Sequence, residues 1–421
     1  MDSAPIPVVV QQHVQEAAHL RLVRSVLVAA PHVRLLHLGR LDERIAAHLD
    51  GVAVASAHGK DLARRELERP GPGPLFVAAV RALEDGDREA FDTLLSIAEA
   101  VPESVRGLLS ALGWVSANAL TDVVRALLES PSPLRRASGL AACAMHAVDP
   151  GAALDEAMAA SDPLLRARAL NVAGRCGRRD LMQACLAAIG DPDPGCAHAG
   201  AMSALLLGER RDAVDALEWT AVAADEAPAR EALQLVLKVV SMQRAQALLS
   251  RLSAEPMHAR RLLRGVGSAG DVRYVPWLLK QMTDLPSARL AGEAFSLITG
   301  ADLARLDLER KPPPESAEFG PTADPDDANV AMDEDDSLPW PDPARVEDWW
   351  RAHGTRLAPE VRCFMGEAPS VEHCVSVLRT GFQRQRHAAS QYRCLLNPGT
   401  PLFNVRAPTR RQQRLLSSMA R

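Results

Sequence analysis

The chain has 421 residues, enough for about three average domains and a large buried core. Alanine fills 71 positions while Phe, Trp and Tyr together fill 15, so the stock of a β-sandwich or barrel is missing and strong helix formers dominate. A net charge of −5 argues against a nucleic-acid-coating protein, which would be strongly basic, and no run of 18 apolar residues is present to cross a membrane.

From the N-terminus, the segment MDSAPIPVVVQQHVQEAAH has an acid at position 2 and no basic start, unlike a secretory signal. Seven widely spaced cysteines, an odd number, argue for a reducing compartment, and a cytoplasmic location is expected. Periodicity predicts helices over His13–Ala29 and His32–His48, the second carrying Leu35, Leu38, Leu41, Ile45 and Leu49 and closed by Gly51. These residues make up an N-terminal helical region, 1–70. GlyProGlyPro at 71–74 reads as a boundary.

From 75 to 300 the chain repeats itself. The clearest copies are SPSPLRRASGLAAC (130–143), SDPLLRARALNVAGRC (161–176) and DPDPGCAHAGAMSALLLG (191–208), aligned on Pro133, Pro163 and Pro194. Weaker copies align on Pro228, Pro256 and Pro286. Proline at a first helical position loses no hydrogen bond, and Ser132, Asp162 and Asp193 each stand where a side chain caps the exposed amides. Gly174 and Gly177 then permit a turn into a second helix. One helix pair cannot cover its own apolar stripe, so neighbours must stack; the expected fold is all-α, an α-solenoid.

The pattern DP-x-x-R-x-x-A, followed by Gly and a second short helix, resembles the HEAT-like repeat of phycobilisome lyases. Over nearly the whole length, PHVRLLHLGRLDERIAAHLDG (31–51), AGEAFSLITG (291–300), LPWPDPARVEDWW (338–350), GFQRQRHAA (381–389) and PLFNVRAP (401–408) resemble an uncharacterised bacterial family of HEAT-like proteins. Its members often lie beside type VI secretion genes. The resemblance implies HEAT-like helix pairs with extra helical segments at both ends, and a setting near secretion; it implies no catalytic residue.

Beyond the repeats the charge separates. Glu315–Asp348 carries −11, within a predicted disordered or extended, acidic, Pro-rich linker spanning 310–348. A basic helical segment, 349–421, follows; its residues 351–421 carry +9, with helices predicted at Val371–Arg379, Phe382–Leu395 and from about Thr409, and PLFNVRAP extended. The two blocks either fold back on each other or offer the tail's Arg384, Arg386, Arg410 and Arg411 to an acidic partner. Trp349 and Trp350 are candidates for the same contact, although docking on the end of the repeat stack is the favoured role for the Trp-rich segment.

Other chemistry finds little support. No phosphate-binding glycine loop or nucleophile elbow is present. His13/His19 and His32/His37 lack the spacing of two ligands on one helix face, no C-x-x-C occurs, and Asp42 and Glu43 point apart on a helix. Cys143 with His146 is the one tempting nucleophile pair, against the ordinary reading of a small buried thiol. Glu293 reads as part of an ordinary last repeat helix. The expectation is a non-enzymatic protein-binding scaffold, without cofactor or metal; the resemblance implies a type VI secretion component or cargo as its partner, in an adaptor, assembly or immunity role. The rivals are an enzyme of the bilin-lyase type and a nucleic-acid-binding HEAT-like solenoid; pigment copurifying with the protein would favour the first, and steeply salt-dependent DNA binding the second.

Overall fold

The computed structural model describes residues 5–223, 226–314 and 335–419. It is helical, with 22 α-helices and one two-stranded ladder among the described residues. Two compact units divide the chain. The first comprises the chain to Ala29, Val33–Leu207 and the chain from Gly399; the second comprises Ala30–His32 and Gly208–Pro398. This division differs from the predicted segments 1–70, 75–300, 310–348 and 349–421. Its main break, at Leu207, falls inside the repeat region, and none falls at 71–74.

The first unit holds α1 (Pro7–Leu27), α2 (Leu35–Val54), α3 (Ser56–Glu66), α4 (Pro72–Glu84), α5 (Arg88–Ala100) and α6 (Val105–Trp114). It continues with α7 (Thr121–Leu128), α8 (Pro133–His146), α9 (Ala152–Met158), α10 (Pro163–Cys176), α11 (Met182–Ala187) and α12 (Pro194–Leu207). The second unit holds α13 (Asp212–Ala223), α14 (Glu226–Val236), α15 (Met242–Ser253), α16 (Ala259–Ala269), α17 (Val275–Gln281) and α18 (Leu285–Thr299). There β1 (Glu309–Arg310) pairs antiparallel with β2 (Trp340–Pro341), followed by α19 (Pro343–His353), α20 (Val371–Thr380) and α21 (Gln383–Leu396). The final helix, α22 (Thr409–Ser418), returns to the first unit.

Local chemistry explains the clearest copies. The helices α8, α10 and α12 each begin at a proline and run 14 residues. Ser132 Oγ accepts from Arg135 N at 3.5 Å, Asp162 Oδ1 from Leu165 N at 2.8 Å and Asp193 Oδ1 from Cys196 N at 2.9 Å, so all three expected caps form. α10 packs against both α8 and α12. Gly177 (φ +73°) turns the chain out of α10, but Gly174 lies within the helix: a Cβ there would stand 2.6 Å from Ser203 Oγ, so its role is close approach to α12.

The weaker copies depart from this pattern. Pro228 is the third residue of α14, Pro256 opens a short 3-10 turn before α16, and Pro286 is the second residue of α18. Ala227, Glu255 and Leu285 precede those prolines, so the Ser/Asp–Pro cap pair is missing from the sequence at all three. Gly51 does not end α2, which continues to Val54; a Cβ at Gly51 would meet the His13 ring at 2.7 Å. GlyProGlyPro is the start of α4, where proline is well tolerated, and α4 packs on α1 and α6.

The acidic residues 315–334 lie outside the described residues. The rest of the predicted linker, 310–314 and 335–348, is built into the second unit. Asp335 is buried, β2 pairs with β1, and Asp342 caps α19 through Ala344 N and Arg345 N. The tail helices α20, α21 and α22 coincide with the predicted ones, and 401–408 is non-helical.

Candidate protein-binding site

In the second unit, one charge cluster draws in both the acidic linker and the basic tail. The first turn of α21 places Arg384 beside Glu293 of α18, at 2.9 Å, and beside Asp335, at 2.7 Å. Asp335 also accepts from Arg264 of α16 at 3.0 Å and from Arg260. Burial pushes the Asp335 carboxyl up, but Arg264, Arg384 and Arg260 together outweigh it and hold it below the usual range. Glu293 goes the other way: burial raises it, and Arg384 only partly offsets this. Glu293 and Arg384 face a cavity of about 770 Å³ whose wall also includes Asp302, Lys311, Trp340 and Phe382.

The remaining candidates in this unit make contacts within it. Trp349 and Trp350 stand edge-on to Phe295 of α18, with centroids 5.7 and 6.3 Å away, and Trp349 stacks on His353 at 4.6 Å. Trp340 lies under the Arg289 guanidinium at 5.0 Å, while Arg289 pairs with Asp336 at 3.0 Å. Arg386 has no exposed surface at all. Its Nε donates to Leu378 O at 2.7 Å and Nη1 donates to Gln383, while burial lowers its pKa to about 10. Arg386 therefore fastens α20 to α21 and presents nothing to a partner, a correction that follows from its position on the inner face of an amphipathic helix.

Arg410 and Arg411 lie in the first unit, at the ends of earlier helices. Arg410 Nη2 donates to Trp114 O at 2.8 Å, and its guanidinium lies over the Trp114 ring at 5.8 Å. Arg411 donates to Val115 O and Met145 O, both at 3.3 Å. Burial lowers the Arg411 pKa to about 10, and Arg410, Arg414 and Arg24 add to the effect. Leu402 N donates to Arg175 O at 2.8 Å. The tail thus sets N–H donors against carbonyls at the C-terminal ends of α6, α8 and α10, where the helix dipole favours cations. An equivalent arrangement occurs in the second unit. Arg362 donates to Lys238 O (2.8 Å), Val240 O (2.6 Å) and Ala269 O (3.1 Å), and Met365 N and Gly366 N donate to Leu297 O and Ile298 O.

Several important residues lie outside the sequence-based candidates. Asp42 of α2 is buried, bonds Arg24 at 2.5 Å and accepts from Thr409 N at 2.8 Å, capping α22. Its signal was its place among Leu38, Ile45 and Leu49, since a carboxylate on a buried stripe demands a partner. Lys238 carried a similar signal within the apolar run 235–240. His13 meets His48, with Nδ1 atoms 3.0 Å apart, rather than His19, and burial followed by the His13 charge lowers the His48 pKa. His146 turns its Nε2 to Leu112 O at 2.8 Å. None of the seven cysteines forms a disulfide; burial raises the Cys143 and Cys176 thiols to about 11. Among the described residues no three His, Cys, Asp or Glu side chains are grouped to hold a metal, and no helix is long and apolar enough to cross a membrane.

Comparison with protein-family models gives no match, and no curated protein matches the chain.

Proposed function

We propose that this protein is a HEAT-like helical-repeat scaffold, an α-solenoid that binds another protein without chemistry of its own. The observation that carries the reading is the shared register of α8, α10 and α12, which have one length, one cap position and one proline head. Repeats that contact mainly their neighbours build long surfaces suited to holding a partner's helix or loop. The cavity at Glu293 and Arg384, with both charge signs and two aromatic rings in its wall, supports a polar partner segment anchored by an apolar side chain. Trp219 of α13, 67 % exposed, is a second anchor of the kind that dominates interfaces. The resemblance to bacterial proteins encoded beside type VI secretion genes favours a secretion component or cargo as the partner.

Truncating the tail would be a poor test, because Arg386, Arg362 and Arg411 are structural. Surface variants serve better. The tagged full-length protein is captured from its native cells, the enriched protein is purified, and the pair is titrated by calorimetry. Trp219→Ala and Lys311→Glu are expected to weaken the complex, at least one of them by about tenfold, while leaving the circular dichroism unchanged. A capture that enriches no protein, or a reconstituted complex indifferent to both substitutions, overturns the scaffold reading.

A further inference from the structure

A second cavity, of about 290 Å³, lies in the first unit between α1, α6 and the residues leading into α22. Among the described residues, its wall carries five arginines, Arg21, Arg24, Arg175, Arg406 and Arg411, and no Asp or Glu. Asp42 is paired with Arg24 of this group and also accepts from Thr409 N. Arg21 is buried and spends its Nε and Nη2 on Ser110 Oγ and Arg106 O, with no carboxylate partner; Nη1 makes no hydrogen bond. Arg411 has only carbonyls and the His146 ring for partners, leaving Nε without one. The Arg406 side chain is exposed and makes no hydrogen bond, while its backbone oxygen receives Arg24 Nη1 at 3.0 Å.

So many guanidinium charges together are unfavourable without an anionic counter-charge. Burial lowers the pKa of Arg21 and Arg411, and the charges added by their neighbours, Arg106 and Arg24 for one and Arg410, Arg414 and Arg24 for the other, are all of the same sign. Carbonyl acceptors at helix ends supply partial negative charge, well short of several guanidinium ions. Guanidinium forks match tetrahedral oxyanions geometrically and remain charged at any physiological pH. The indole of Trp114 supplies an apolar wall.

We propose that this cavity is a binding site for a small phosphoryl-bearing anion carrying two or more negative charges. Arg21 and Arg411 form its floor and Arg406 its mouth. The volume favours a compact polyanion over an acidic protein segment. Residues of α6, α8 and α10 help to line the site, but anion binding there needs no protein partner, so it does not depend on the scaffold reading.

Pyrophosphate is the probe, titrated calorimetrically into the full-length protein at constant low ionic strength. Saturable binding is expected, with a raised melting temperature and an affinity that falls as salt rises. Arg406→Ala removes no side-chain hydrogen bond and is expected to weaken binding by about tenfold; Arg411→Leu is expected to abolish it while the protein stays helical by circular dichroism. Absence of saturable pyrophosphate binding up to about 10 mM overturns the proposal. So does binding that Arg406→Ala and Arg411→Leu both leave unchanged, which would make the effect general screening. Binding of a hexaglutamate peptide in place of pyrophosphate would assign the cavity to protein carboxylates and reject the phosphoryl class.

Discussion

Lys238 is the clearest case in which a single residue works against the fold. It is buried, donates through Nζ to Gln234 O, and lies 5.8 Å from the Tyr392 ring with no carboxylate partner. Burial, with the Arg362 charge added, lowers its pKa to about 7. An unfolded lysine keeps its proton to about pH 10.4, so between pH 7 and that value the unfolded chain binds more protons than the folded one. Stability contributed at this site therefore rises with pH across that window. Lys238→Met is expected to stabilise the protein at pH 7 by about 3 kcal/mol and to flatten the slope, both measurable by urea unfolding from pH 7 to 10. An unchanged slope would show that Lys238 is not the titrating group. Asp42 is the opposite case. Asp42→Ala removes the partner of Arg24 and the cap of α22, and a loss of about 3 kcal/mol is expected in the same assay, because breaking a buried pair leaves its other charge unpaired.

At the scale of the element, α8 and α10 form the same terminal hydrogen bonds: Val148 N to Cys143 O at 2.9 Å, and Arg178 N to Ala173 O at 3.0 Å. Both therefore need a left-handed residue immediately after the helix. α10 supplies Gly177, but α8 supplies Ala147, at φ +56°. Ala147→Gly is expected to stabilise the protein by about 1 kcal/mol, seen as a raised urea midpoint at constant slope. A lowered midpoint would mean that the freedom glycine gives the unfolded chain outweighs the relieved strain. The helices of this region were legible because their signals are local: a Ser or Asp cap, a proline head, an apolar period of 3.6. The tail helices were legible for the same reason. What sequence could not convey was the use of Gly174, because its neighbour Ser203 lies almost a full repeat away.

At the scale of the whole molecule, the separation of charge was plain in the sequence, but its purpose was not. Among the described residues, Asp335 and Asp336 do meet arginines of the second unit, Arg384 among them. Much of the tail's basic character, however, is set against helix carbonyls, as with Arg362, Arg410 and Arg411. A carbonyl carries no sequence signature, and Arg362 finds its acceptors 93, 122 and 124 residues away, so counting charges could not find these contacts. Replacing Arg410 and Arg411 together by Gln is expected to lower the melting temperature of the full chain by several degrees, since each loses charge-assisted bonds to helix ends. An unchanged melting temperature would show that water serves those carbonyls equally well.

The first unit draws its helices from both ends of the described chain, with Val33–Leu207 at its centre and the segment from Gly399 returning to it. A ribosome that has finished Leu207 has still to add the 192 residues that reach Gly399, which takes roughly 10–40 s at ordinary elongation rates. Throughout that interval Asp42, Arg24 and the ends of α6, α8 and α10 wait without the partners that the segment from Gly399 supplies. Nascent first units are thus open to chaperones and proteases until the last stretch emerges, and a chain stalled before Gly399 carries its own mark of incompleteness.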